Sequence, residues 1–72
     1  MDFYIPEDEL AIQVSYSLRD EATRKRESEA LTMLPKRLSC RRRLILTYDE
    51  EEVISDKFGS IEVLPVWKWL LM

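Results

Sequence analysis

Arg43-Leu44-Ile45-Leu46-Thr47-Tyr48-Asp49 is the stretch that decides the fold. Leu44 to Tyr48 are apolar or β-branched with no alternation, so a strand made from them needs cover on both faces. Such a strand sits inside a sheet with material on either side, and the flanking sequence has to supply the neighbours. Upstream, Leu10 to Ser17 alternates with period two. Ala11, Gln13, Ser15 and Ser17 share one face, while Ile12, Val14 and Tyr16 share the other. Asp2 to Ile5 is short and aromatic, and the polar turn Pro6-Glu7-Asp8-Glu9 joins it to Leu10 as a β-hairpin.

Between hairpin and central strand lies a helical segment. Asp20 is the expected N-cap, with Glu21 in the first turn. The helix runs to about Leu34, and Pro35 stops it by forcing the preceding residue out of helical geometry. Its apolar face is thin and late, with Ala30, Leu31, Met33 and Leu34, whereas Arg24-Lys25-Arg26-Glu27 is charged. Downstream, Asp49 to Glu52 forms an acidic loop, Val53-Ile54 is too short to assign, and Gly59 marks a turn. Ile61 to Leu64 is a further short strand. Pro65 fits the first position of a closing helix over Val66 to Leu71, with Trp67, Leu70 and Leu71 expected to pack back on the sheet. The expected fold is α/β. It has a small mixed sheet with a β-hairpin, a right-handed crossover helix between parallel strands, two further short strands and a short C-terminal helix.

The 72 residues make at most one domain, with a small core. The usual reinforcements for such a chain are disulfides, metals or association. Cys40 is the only cysteine and there is no histidine, so an internal disulfide and a zinc site are both excluded. Association with a second copy or docking onto a larger protein remains, and no cofactor is expected. Met1 to Glu9 is acidic and unlike a secretory signal, and no apolar run approaches the roughly 20 residues of a membrane span. The expected location is the cytoplasm, with no membrane partner.

The net charge of −3 is unevenly spread. Arg19 to Arg43 holds nine basic and four acidic residues, and the rest holds two basic and ten acidic. Arg24, Lys25, Arg26, Arg41, Arg42 and Arg43 are therefore the candidate contacts for a nucleic-acid backbone, although overall acidity disfavours a dedicated nucleic-acid binder. A single glycine cannot build a phosphate-cradling loop, and without histidine neither a serine nor a cysteine nucleophile has its usual base. Cys40 reads as a packing residue despite its arginine neighbours. Glu50-Glu51-Glu52 reads as a solvated loop, with an unspecific divalent-ion site as the sharper alternative. Asp2, Gln13 and Ser15 have the layout of a metal-dependent phosphodiesterase site, with an acid on one strand and an acid-x-lysine on the next.

Four segments together carry a resemblance. They are Ala11-Ile-Gln-Val-Ser-Tyr16, Asp20-Glu-Ala-Thr-Arg-Lys-Arg-Glu27, Leu44-Ile-Leu-Thr-Tyr-Asp49 and Ile61-Glu-Val-Leu-Pro-Val-Trp-Lys-Trp-Leu-Leu71. The series resembles the C-terminal PD-(D/E)XK nuclease-like domain of prokaryotic AAA-type ATP-binding proteins, over nearly the whole chain. The resemblance implies a partial restriction-endonuclease-like core, truncated ahead of Met1, and an ATPase as a possible partner. It places Asp2 at the first acid of the nuclease motif, Gln13 at the second acid and Ser15 at the lysine. One position of three keeps its chemistry, so the resemblance implies a catalytically inactive interaction or assembly module. The expected contact is the sheet edge or the region of Trp67 and Trp69. The alternative is a Mg²⁺- or Mn²⁺-dependent nuclease, or a nucleic-acid-binding module acting through residues 24–43.

Overall fold

A computed structural model describes residues 2–32, 34 and 40–72. Five strands form one sheet: β1 (Phe3–Ile5), β2 (Leu10–Val14), β3 (Arg42–Thr47), β4 (Glu52–Asp56) and β5 (Gly59–Pro65). Two helices complete the chain, α1 (Glu21–Thr32) between β2 and β3 and α2 (Val66–Leu70) after β5. The spatial order is β1-β2-β3-β5-β4. The outer pairs β1/β2 and β4/β5 are antiparallel, while β2/β3 and β3/β5 are parallel. This is the expected mixed α/β sheet, with the Arg43–Thr47 stretch buried at its centre.

Parallel pairing in register (Ala11 opposite Arg43, Gln13 opposite Ile45, Ile45 opposite Val63) sorts the side chains onto two faces. One face carries Ala11, Ile45, Ile61 and Val63, packed with Leu18 and with Leu31 of α1. The other carries Leu10, Ile12, Leu44, Leu46 and Leu64, and Trp69 of α2 lies against it. The unbroken apolar run of β3 thus reflects cover by one helix on each side. Cys40 joins the first cluster, and burial pushes its thiol pKa up, as a packing residue requires.

The hairpin turn is a short 3-10 segment, Pro6–Asp8, closed by Glu9 in the left-handed region at φ 48. The Glu9 carbonyl then accepts from the backbone amides of Arg41 (2.8 Å) and Arg42 (3.2 Å), tying the hairpin to the start of β3. β2 is shorter than its sequence pattern, ending at Val14 rather than Ser17. The parallel ladder nevertheless continues, since the Ser15 amide donates to the Leu46 carbonyl (3.0 Å) and the Tyr48 amide to Tyr16 (3.1 Å).

At the start of α1 the Asp20 carboxylate accepts from the Thr23 amide and hydroxyl, each at 3.0 Å, which fulfils the N-cap expectation. The expected continuation through Met33 and the stop at Pro35 lie outside the described residues. The inward face differs from expectation. Ala30 is exposed, and the buried positions are Glu27 and Leu31, one turn apart. Ala30 is about 100° around the helix from Leu31, so only one of the two can face the sheet.

Three further departures come from tertiary context. Val53-Ile54 belongs to a full strand, because a two-residue turn at Lys57-Phe58 and Gly59 at φ 124 fold β4 back onto β5. β4 is the longer of the two edge strands, and its inward side chains Glu52 and Asp56 are bound by arginines. Pro65 is the extended N-cap of α2 rather than its first helical residue. Trp67, Leu70 and Leu71 do not pack on the sheet. They are exposed, and Trp69 turns inward instead. A five-residue helix has a single inward lane, and the extended exit from β5 through Pro65 sets its phase. No described helix is long and apolar enough to cross a membrane.

Arg43 holds the layers together. Its side chain is only 3% exposed, and it points from β3 toward α1 and β4. Its guanidinium donates to both oxygens of Asp56 (2.6 and 2.8 Å) and to the carbonyl of Leu31 (3.1 Å). The bidentate bond from Arg43 holds the Asp56 carboxyl down from 3.8 to about 2. The folded value lies below that of the unfolded chain, so the contribution is complete above about pH 4 and fades as pH falls toward 2. It is expected to amount to about 2 kcal/mol. Urea titrations between pH 5 and 2 should show this loss. In Asp56→Asn the acid-dependent component should flatten, on a stability already lowered by about 3 kcal/mol because Arg43 is left buried without its counter-charge.

Candidate functional site

The motif positions Asp2, Gln13 and Ser15 come from the hairpin but do not share one task. The Asp2 carboxylate accepts from the Val14 amide at 2.7 Å, where it closes the end of the β1/β2 ladder. Gln13 points to the α1 side of the sheet, as its register opposite Ile45 requires. Its Oε1 is buried without a hydrogen-bond donor, and so is Oε1 of Glu27 on the inward lane of α1. The other Glu27 oxygen takes only a 3.4 Å contact from Arg26. Ser15 donates to the Ser17 carbonyl at 3.1 Å, a local turn bond. Among the described residues no group of three His, Cys, Asp or Glu side chains is placed to hold a metal ion.

Most of the candidate backbone-binding cations are committed to acids of the same chain. Arg24 makes a bidentate pair with Glu52, one arm at 2.7 Å. Arg42 pairs with Glu62 on the neighbouring strand β5, and Arg43 with Asp56. Arg26 and Arg41 make looser contacts, to Glu27 at 3.4 Å and Glu9 at 3.9 Å. Lys25 is exposed on α1. Among the described residues, the basic bias of residues 19–43 thus reappears in three dimensions largely as cross-links to the acidic remainder.

The three consecutive glutamates are not a solvated run. Glu50 reaches back to the β2–α1 connection, where it accepts from the Ser17 hydroxyl and from the Leu18 amide at 2.8 Å. These bonds, led by that from Ser17, lower the Glu50 pKa. Glu51 pairs with Lys68 of α2 at 2.6 Å, and Glu52 with Arg24 of α1. Three consecutive residues, two in the loop and one opening β4, therefore fasten three other parts of the chain. The Thr47 hydroxyl fixes the loop itself, accepting from the Glu50 amide (3.0 Å) and donating to its carbonyl (2.8 Å). A run of acids carries no local signal for such division, because the partners lie 17 to 33 residues away.

The parallel strands β2, β3 and β5 all end on the same side of the sheet. There a crevice of about 400 Å³ opens, lined by Val14, Ser15, Tyr16, Leu46, Thr47, Tyr48 and Val66. Tyr16 and Tyr48 stack across it, with ring centroids 5.2 Å apart and planes 14° from parallel. Both rings are mostly open to solvent, at 77% and 54% exposure. The residues after the strands escaped the sequence analysis as a site. Their only signal was a tyrosine two positions beyond Val14 and another two beyond Leu46, which the parallel register brings side by side.

No protein-family model, curated protein or solved structure matches this chain.

If Glu50 is a structural tie, Glu50→Ala should lose about 2 kcal/mol by urea unfolding, because the Leu18 amide and Ser17 hydroxyl lose their acceptor. Glu51→Ala, which removes a half-exposed ion pair, should change stability by less than about 0.5 kcal/mol. Glu27→Leu should raise the melting temperature, by the equivalent of about 1 kcal/mol, since it removes a buried acceptor without a donor and adds apolar contact.

Proposed function

We propose that this chain is a catalytically inert, nuclease-like module that works through protein–protein contact, as its resemblance to the C-terminal domain of AAA-type ATP-binding proteins implies. The observation that carries this reading is the chemistry of the crevice at the carboxyl ends of the parallel strands. In open α/β sheets that is where ligands and reacting groups are held. Here it presents Val14, Tyr16, Tyr48 and Val66 to solvent, and among the described residues no acid, base or cation lines it. A lining of exposed aliphatic and tyrosine side chains suits adhesion to another apolar surface, where tyrosine is enriched.

The use of Asp2 supports the same reading. It is the one motif acid that survives in sequence, and its carboxylate closes a backbone ladder at Val14. Gln13 and Ser15 bring neither a second charge for a metal nor an amine to activate water. An ATPase remains the partner that the resemblance suggests.

Purified protein incubated with supercoiled, nicked and single-stranded DNA plus Mn²⁺ tests the reading. The expected outcome is no cleavage above that of Asp2→Ala. Metal-dependent cleavage that disappears in Asp2→Ala would overturn inertness. Tight DNA binding at low salt, weakening steeply as salt is added, would move the function to residues 24–43.

A further inference from the structure

α2 crosses the sheet face that carries Trp69, running from the tyrosine crevice at its start to the Asp8–Leu10 end of the hairpin, where Leu70 and Met72 lie. Its outer side is apolar. Val66 lines the crevice, Trp67 is 57% exposed, and Leu70, one turn beyond Val66, is 69% exposed. The crevice and this ridge are continuous through Val66.

We infer that the occupant of the crevice is a second copy of this chain, packed across a two-fold axis so that Trp67 of each copy seats against the Tyr16–Tyr48 stack of the other. This rests on the contact-module reading above and names its partner. Area favours it. Val14, Tyr16, Tyr48, Val66, Trp67 and Leu70 leave on the order of 600 Å² of apolar surface exposed, given about 150–250 Å² per aromatic side chain. That reaches the upper end for the largest apolar patch of a typical monomer, about 300–600 Å². It also matches the apolar share of the roughly 800 Å² that each partner gives to a stable interface.

Shape and charge agree. A two-fold interface must be complementary to itself, so a knob and its socket have to lie on one surface. Trp67 and the tyrosine stack meet that condition. The axis also brings each charge near its own image, so a face with surplus charge would repel its copy. Three of the cations bordering this face are paired within the chain, Lys68 with Glu51 at 2.6 Å, Arg42 with Glu62, and Arg19 with Asp49 at 3.5 Å, and Asp8 adds a carboxylate only at the far end of α2, away from the tyrosine stack. Tryptophan and tyrosine are also the residues most often found to dominate interface energetics.

Sedimentation equilibrium on the full chain tests the inference, with expected reversible dimerisation at micromolar concentration. Trp67→Lys and, separately, Tyr16→Lys should each weaken the dimer at least ~30-fold, as central aromatic anchors do. Phe58→Lys, at the β4–β5 turn, should leave it unchanged. Trp67→Lys mixed with Tyr16→Glu should recover association that neither variant shows alone, because the mixed pair restores one native contact and makes the other a Lys–Glu pair. A wild-type monomer at about 200 μM, or a dimer indifferent to both lysine variants, would overturn it. A monomer that does not cleave DNA would defeat only the dimer, whereas a dimer that cleaves DNA would defeat only the inert-module reading.

Discussion

A single buried guanidinium decides whether this small sheet holds together. Arg43 lies on the central strand, yet its side chain leaves the strand to bind Asp56 on β4 and the carbonyl of Leu31 in α1. It spans β5, which lies between β3 and β4, so one residue fixes an edge strand and a helix against the centre. A charge buried to this extent is tolerated when it is paired and hydrogen-bonded, and here the partners are a carboxylate held bidentately and a helix carbonyl. The apolar clusters on the two faces supply the bulk of the burial. Arg43 supplies the direction in which the layers are joined.

The same division of labour runs through the other charges. Glu50, Glu51 and Glu52 sit side by side and reach the β2–α1 connection, α2 and α1 respectively. A third of the residues are charged, and in a chain of 72 residues this leaves few positions for a core. Cross-linking by ion pairs is how such a composition still yields defined layers. It also explains why the described part of the basic segment, so distinct in sequence, is not a uniform basic surface.

Sheet and helix order were legible because they depend on local pattern. The unbroken run Leu44–Tyr48 required double cover, the alternation of Leu10–Ser17 required pairing, and Asp20 announced α1. What stayed hidden depends on contacts distant in sequence. Val53-Ile54 is a strand only because Gly59 returns β5 beside it. The inward role of Trp69 over Trp67 follows from the angle at which Pro65 releases the chain, and the burial of Glu27 in place of Ala30 follows from where α1 lands on the sheet. The candidate site was harder still. Asp2, Gln13 and Ser15 were read as one constellation from spacing on a hairpin, yet their side chains go to a backbone amide, to the α1 side of the sheet and to a local turn. The tyrosine crevice needs the parallel register of β2 and β3, which no local pattern states.

The longer free edge of the sheet, β4, carries Glu52 and Asp56 on the side that faces α1, each clamped by an arginine. An incoming strand stacked beside it would have to lay its own side chains alongside those carboxylates, next to groups already fully engaged. The opposite edge, β1, offers only three residues. Both borders are thus poor templates for adding strand upon strand, so growth into open-ended fibrils is disfavoured at the very positions where small sheets are most vulnerable. A pairing of the kind proposed above, made through the flat of the sheet about a two-fold axis, would leave these borders uncovered and would close on itself.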